Sequence, residues 1–326
     1  MSARPFVSAH RGASGYLPEH TREAKVLAYG QGADFLEQDV VATSDGELVV
    51  LHDIHLDDVT NVAERFPSRR RSDGRFYVID FTLDELRSLT VRERRELSTG
   101  QRVFPYRFAD DGIGFRVVTF DEEMRLVRAL NATTGRDVGV YPEIKAPAFH
   151  HLHGIDLAAR LLEALGRYGY VAERDRAVVQ CFDASELKRC RVELGSRLKL
   201  AQLSDVSTAE TAATHDAIAE YAQVWAPHYS ALTALPPGDV AARAGANRVV
   251  ADAARAAKRA GLELHPYTFR LDAVPPGFTT LEEQLEFFYA EVQVDAVFCD
   301  HPDVAVGVRE RYVAHGSRGN SQPERS

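Results

Sequence analysis

The sequence predicts one α/β domain built as a (β/α)8 barrel, and three observations carry that expectation. Short apolar runs recur along the chain, each is followed by a helix-start signal and an amphipathic stretch, and the polar residues suited to chemistry stand at the ends of those runs. The chain has 326 residues, 45% of them hydrophobic and 27% charged, which are the proportions of a globular protein rather than of a disordered or fibrous one. A single barrel of about 250 residues carrying an insertion accounts for this length as well as two domains do.

Strands are expected at 6–9, 35–42, 138–144, 177–182, 198–203, 224–226, 262–267 and 296–299. Between them, capping boxes pair a short polar side chain with a glutamate three residues on, at Thr82 with Glu85, Thr119 with Glu122, Asp183 with Glu186, Ser207 with Glu210 and Thr280 with Glu283. Ala24, Leu27 and Ala28 share one helix face that ends at Gly30, and Leu157, Leu161, Leu162 and Leu165 share another that ends near Gly169. Both faces suit packing against a barrel.

A strand at 48–52 stands outside the repeat. It follows 35–42 after Thr43-Ser44-Asp45-Gly46-Glu47, and Asp-Gly favours a tight hairpin because both residues tolerate positive φ. Pairing Thr43 with about Glu47 runs the chain back so that His52 lies across from about Gln38, beside Glu37 and Asp39. Residues 54–136 then read as a long charged insertion on the barrel rim, with short helices near 83–89 and 122–130. A lid or specificity element and a solvated arginine-rich loop are the two readings it allows. The barrel domain is placed at 1–314, and 315–326, which lacks apolar residues, as a disordered tail.

The 39 Lys+Arg against 48 Asp+Glu give a net charge of −9, which argues against a broad nucleic-acid or anionic-membrane surface but leaves room for one small anionic ligand. Lysine is scarce, at positions 25, 145, 188, 199 and 258, which draws attention to Lys145 at a strand end. Cys181, Cys190 and Cys299 form no Cys-x-x-Cys pair and leave an odd count, so neither a disulfide framework nor a structural zinc site is expected, and a reducing compartment is. No run of about 18 apolar residues spans a membrane. Residues 1–5 are too short for a signal peptide, so the expected location is cytoplasmic, with periplasmic or secreted as the alternative if the chain is a processed form.

In a (β/α) barrel the C-terminal strand ends hold the active site. His10 and Arg11 follow the first strand, Glu37 and Asp39 lie in the second, His52 and Asp53 return on the hairpin, and Glu143 and Lys145 end the next strand. Glu37 and Asp39 are two apart, so their side chains share one face while Gln38 points the other way. With Glu143 they make an oxygen-rich site for a hard divalent cation, calcium or magnesium rather than zinc; ion pairing with Arg11 and Lys145 without a metal is the competing reading. His10 and His52 carry imidazoles, whose unperturbed pKa of about 6.5 suits proton transfer at neutral pH. Arg11 and Lys145 add fixed positive charge, and the set as a whole suits acid–base cleavage of a phosphate ester. No Gly-x-x-x-x-Gly-Lys loop, strand-led Gly-x-Gly-x-x-Gly or Gly-x-Ser-x-Gly elbow is present. Cys181 and Cys299 read as buried, His150, His151 and His153 as loop residues, Trp225 as core, and Tyr267 as either lining or filling the pocket.

The ordered motifs resemble the bacterial glycerophosphodiester phosphodiesterases, specifically the long periplasmic, calcium-dependent type. They are His10-Arg11-Gly12, Pro18-Glu19-His20-Thr21, Glu37-Gln38-Asp39-Val40, Thr43-Ser44-Asp45-Gly46, Val49-Val50-Leu51-His52-Asp53, Tyr141-Pro142-Glu143-Ile144-Lys145-Ala146-Pro147, Gln180-Cys181-Phe182-Asp183 and His265-Pro266-Tyr267-Thr268, with Arg65-Phe66-Pro67 and Asp80-Phe81-Thr82-Leu83 in the insertion. The resemblance runs from about Phe6 to about Arg309. It implies a TIM barrel of the phospholipase-C-like phosphodiesterase type that hydrolyses glycerophosphocholine, glycerophosphoethanolamine and similar diesters to sn-glycerol 3-phosphate and an alcohol. It further implies His10 and His52 as acid and base, Glu37, Asp39 and Glu143 as cation ligands, and Arg11 and Lys145 on the phosphate; Gln180 and Tyr267 are candidates for the substrate pocket. Calcium is the ion implied, magnesium the alternative, and the partner a small-molecule diester. Two departures stand out: His20 replaces the family's usual Asn, and Cys299-Asp300-His301-Pro302 replaces a Thr-Asp-aromatic-Pro; neither is expected to touch the proposed ligands. A lysophospholipase D or sphingomyelinase D type of lipid cleavage, and a non-catalytic binding protein on the same barrel, are the alternatives carried forward.

Overall fold

A computed structural model of the chain describes residues 4–109, 112–205, 212–234 and 249–319. Its strands are β1 (Phe6–Ala9), β2 (Phe35–Ala42), β3 (Leu48–Val50), β4 (Gly139–Ile144), β5 (Val178–Cys181), β6 (Lys199–Ser204), β7 (Val224–Pro227), β8 (Thr233–Ala234), β9 (Val249–Val250), β10 (Glu263–Leu264) and β11 (Ala296–Cys299). The main sheet runs β10-β7-β6-β5-β4-β2-β1-β11, all parallel, while β3 pairs antiparallel with β2, and β8 and β9 pair antiparallel in a separate two-stranded sheet. Asp295 N–H donates to Leu264 O at 3.0 Å and Phe298 N–H to Pro266 O at 3.0 Å, which stitches β11 to β10 and nearly closes the barrel.

Parallel strands covered on both faces read as continuous apolar runs, and every residue of β2 and β4 is buried. Strand alternation then sorts the side chains. Phe35, Tyr141, Val178, Ala201, Leu203, Val224, Ala226 and Phe298 fill the barrel interior, whereas Leu36, Val40, Val140, Val179 and Leu200 face the helix ring. Because Glu37 and Asp39 share parity with Phe35, and Glu143 with Tyr141, these carboxylates stand above the interior plug at the C-terminal mouth.

The hairpin has the expected register: Val40 pairs with Val50, Thr43 N–H donates to Glu47 O at 3.0 Å, and Leu51 N–H to Asp39 O at 2.9 Å. Gly46 takes φ +80° in its turn, a conformation open to glycine at no steric cost. Thr82 with Glu85 and Thr119 with Glu122 form full capping boxes. Asp183 and Thr280 cap their helices without the reciprocal glutamate bond, and Ser207 with Glu210 lies outside the described residues.

β3 and the region after it share a core of Val49, Leu56, Val62, Phe76, Phe81, Leu86, Val91, Phe115 and neighbours. The helix expected at 122–130 is longer, Phe120–Thr134, and packs Phe120, Met124 and Val127 into the barrel core, so it is a barrel helix rather than part of the insertion. The final helix, Pro302–Gly319, continues five residues into the segment expected as a disordered tail; 320–326 lie outside the described residues. Among the described residues no helix is long and apolar enough to cross a membrane.

Candidate active site

One cleft at the barrel mouth gathers His10, Arg11, Glu37, Asp39, His52, Glu143, Gln180 and Tyr267, with Phe182, Leu203, His228, Thr268, Arg270 and Phe298 completing its walls. Lys145 reaches the same group from the end of β4, its Nζ 2.9 Å from Glu143 Oε1 and 3.6 Å from Asp39 Oδ1. The residues expected to transfer protons, bind phosphate, hold the cation and line the pocket therefore all lie together here.

The local backbone explains the convergence. After β1 the chain turns through Arg11 at φ +56° and Gly12 at φ +90°, and the turn aims Arg11 N–H at Glu37 Oε2, 2.5 Å away. A Cβ on Gly12 would meet the Ala24 backbone at 2.9 Å, so only glycine fits. The Arg11 guanidinium is clamped by Glu19 at 3.0 Å and lies 3.5 Å from Asp39. Asp39 and Glu143 are direct neighbours in the β2–β4 register.

Asp39 interacts with both Glu37 and Glu143, and carboxylates so placed cannot all ionise without compensation. Burial, reinforced by Asp39, pushes Glu37 well above the ordinary glutamate range, and burial pushes Glu143 up to about 8 against the pull of Lys145. Asp39 goes the other way: burial opposes its charge, but Lys145 and the hydrogen bond from His20 hold it well below the usual value. Asp39 Oδ1 is buried and accepts no hydrogen bond. An oxygen-rich cluster with an unsatisfied buried carboxylate oxygen fits a hard divalent cation. The ion-pair reading is also present in the geometry, since Lys145 lies against Asp39 Oδ1 and Glu143 Oε1, and Arg11 against Asp39 Oδ2.

Both histidines are oriented by carboxylates. His10 Nδ1 lies 2.6 Å from Asp300 Oδ1, and His52 Nδ1 lies 2.8 Å from Asp53 Oδ1. An ionised carboxylate only accepts, so Nδ1 carries the proton in each ring and Nε2 is left for chemistry. Burial and then Arg11 lower His10 to about 4, and burial, Arg11 and Lys145 lower His52.

One expectation is corrected. His20 does touch a proposed ligand: its Nε2 lies 2.7 Å from Asp39 Oδ2, and His20, Glu37 and Asp39 each bring a ligand atom within 4.8 Å of the others. Burial keeps His20 neutral, lowered to about 3, so its Nε2–H donates to Asp39 and fixes the carboxylate. The Cys299–Pro302 segment also bears on the site, through Asp300 on His10; its His301 instead packs edge-on against Tyr16, with ring centroids 5.1 Å apart.

Sequence reasoning missed Asp300 as the partner of His10, and it missed Arg94, Arg107 and Arg270, which hold the orienting carboxylates. Asp300 follows β11 at the C-terminal mouth, so the strand-end rule that found Glu143 could have found it. Arg94 and Arg107 are 75 or more residues from some of their partners, and spacing carries no such signal. Elsewhere, His151, Asp156 and Glu186 also cluster, but Arg189 already bridges both carboxylates. Cys181, Cys190 and Cys299 are buried and free, and Trp225 is core, with its Nε1–H on Ser204 Oγ at 3.0 Å.

Comparisons with known proteins place the chain in a family. The chain is 40% identical over 327 residues to a glycerophosphodiester phosphodiesterase of Haemophilus influenzae, covering 94% of this chain and 90% of that one. It is 38% identical to one of Treponema pallidum, covering 92% and 90%. Among solved structures it superimposes, with a TM-score of 0.62 at 20% identity and covering 94% and 97% of the two chains, on an Oleispira antarctica phosphodiesterase in complex with the product sn-glycerol 3-phosphate. The model of the glycerophosphoryl diester phosphodiesterase family matches residues 10–304, and with those two relatives it shows that this chain belongs to that family and is a glycerophosphodiester phosphodiesterase.

Proposed function

We propose that the enzyme hydrolyses glycerophosphocholine, glycerophosphoethanolamine and similar diesters to sn-glycerol 3-phosphate and an alcohol, with a divalent cation, calcium before magnesium, held by Glu37, Asp39 and Glu143. The observation that carries this reading is the meeting of two carboxylate-oriented histidines with three crowded, buried carboxylates in one cleft. A cation bound there supplies Lewis-acid stabilisation of negative charge on the phosphoryl oxygens. Arg11 and Lys145 hold the phosphate by charge-assisted hydrogen bonds, and His20 holds Asp39 in place. Phe182, Leu203, Phe298 and Tyr267 form the wall for the carbon skeleton, and Gln180 is a polar contact beside them.

Hydrolysis adds water across the P–O bond of the leaving alcohol. One imidazole Nε2 takes a proton from the attacking oxygen as the new P–O bond forms; the other, protonated, gives its proton to the alcohol oxygen as the old bond breaks. Neutral His10 and His52 in the free enzyme gain basicity when an anionic diester enters. His10→Ala and His52→Ala are each expected to lower kcat by about 10²–10⁴ while the protein melts cooperatively as before. Near-normal release of sn-glycerol 3-phosphate by either variant refutes the assignment.

A further inference from the structure

The segment 91–107 of the insertion is tied to neighbouring loops by backbone bonds, Val91 N–H to Phe115 O at 2.8 Å, Arg92 N–H to Val59 O at 2.9 Å and Arg95 N–H to Asp58 O at 2.8 Å. From it two arginines enter the rim of the site. Arg107, 8% exposed, donates from Nη2 to Asp300 Oδ2 at 2.7 Å, grips Asp272 at 2.7 and 2.9 Å, and stacks on Phe104 with its Cζ 3.6 Å from the ring centroid. Arg94 donates from Nη1 to Asp53 Oδ2 at 2.7 Å and from Nη2 to Glu19 Oε1 at 2.6 Å.

The two sets of contacts have one pattern. Each histidine gives Nδ1 to one oxygen of an aspartate, and the other oxygen of that aspartate is held by an arginine of the insertion: His10–Asp300–Arg107 and His52–Asp53–Arg94. A carboxylate can hold an imidazole at one angle only if its own rotation is blocked, and a charge-assisted bond to the second oxygen blocks it. Asp300 has additional support from Arg270 Nε at 2.9 Å; Asp53 has no second arginine bond among the described residues.

Resting on the acid–base reading above, we propose that Arg107 and Arg94 are positioning residues, and that the insertion acts on catalysis by fixing, through Asp300 and Asp53, the rings of the two histidines. The insertion is then neither a detachable lid nor surface decoration, since its docking assembles both proton-transfer groups at once. The two dyads serve different protons, one on the attacking oxygen and one on the leaving oxygen, so disturbing them must leave different kinetic signatures.

The test compares glycerophosphocholine, whose alkoxide needs a proton to leave, with glycerophospho-4-nitrophenol, whose phenolate does not. Turnover is measured with calcium present for wild type, Arg107→Met, Asp300→Asn, Arg94→Met and Asp53→Asn. Each arginine variant is expected to lower kcat on the choline ester by about 10–100-fold. It should also reproduce the ratio of the two esters' kcat values seen in its own aspartate variant. The two dyads should differ: one loses the choline ester about tenfold more than the nitrophenyl ester, as removal of a general acid does, and the other loses both alike. Equal losses on both esters in all four variants, or an arginine variant whose ratio departs from that of its own aspartate, overturns the positioning role. If Arg107→Met does not melt cooperatively, Arg107→Lys, which keeps the charge and loses the fork, is read by the same criteria. A wild type silent on both esters overturns the catalytic reading together with the proposal; an active wild type with uniform variants overturns the proposal alone.

Discussion

Replacing Lys25 by Met should destabilise the protein strongly, and replacing its partner as well should restore much of the loss. Lys25 lies on the helix Arg22–Gly30, is fully buried, and donates from Nζ to Glu123 Oε2 at 2.9 Å and to the backbone carbonyl of Glu37 at 2.5 Å. It thus ties the first helix to the helix Phe120–Thr134 and to β2 at a candidate cation ligand. Removing one member of a buried ion pair costs about 3–5 kcal/mol, because the other charge stays buried. At about 2.1 cal/mol/K per residue, the unfolding entropy of 326 residues is about 0.7 kcal/mol/K, so the midpoint should fall by about 4–7 °C. Burial already raises the Glu123 carboxyl, and without Lys25 it rises further. A folded carboxyl with a raised pKa binds protons that the unfolded chain has released, so stability falls as pH climbs above the ordinary value of 4.5. Differential scanning calorimetry at pH 5 and pH 8 checks this: Lys25→Met should lose more at pH 8 than at pH 5, and Lys25→Met with Glu123→Leu should recover most of the loss at both. An equal loss at both pH values, or a double variant worse than the single, refutes the reasoning.

Two other predictions follow the same linkage. Glu93 is 4% exposed, its Oε2 accepts no hydrogen bond, and burial raises it to about 7 despite Arg107, so Glu93→Gln should gain up to about 3 kcal/mol at pH 8 and little at pH 5. Melting curves that shift equally at both pH values count against it. Burial pushes the Glu263 carboxyl up, but His265 and Lys199, whose Nζ is 2.6 Å away, hold it at about 2. It therefore contributes stability above pH 4.5 that is lost as pH falls toward 2, and Glu263→Gln should flatten that part of an acid titration followed by circular dichroism.

The barrel strands were legible because each is buried on both faces and so reads as an apolar run that needs no partner to be recognised. The exception is 262–267, of which only Glu263–Leu264 forms ladder structure. Pro266 lacks an N–H, so the pairing continues beyond it only as separate bonds such as Tyr267 N–H to Pro227 O at 3.0 Å. The helix Phe120–Thr134 was visible in its capping box yet assigned to the insertion, since a box marks where a helix starts and not which core its apolar face joins. In the site, parity along β2 and the hairpin register brought Glu37, Asp39 and His52 together by local rules alone. What holds the histidines was not legible: Asp300 is 290 residues from His10, and Arg94 and Arg107 belong to a segment whose charge pattern equally suits a solvated loop. His20 was judged by its motif position, and only the fold shows its ring against Asp39.

The central claim is that the crowded carboxylates above the barrel plug serve a divalent cation in diester hydrolysis. Release of sn-glycerol 3-phosphate from glycerophosphocholine by metal-stripped protein, with calcium, magnesium or neither restored, tests it most directly. The stripped protein should be silent and should recover with calcium. Full turnover without any ion, or silence of a folded protein under all three conditions, contradicts it.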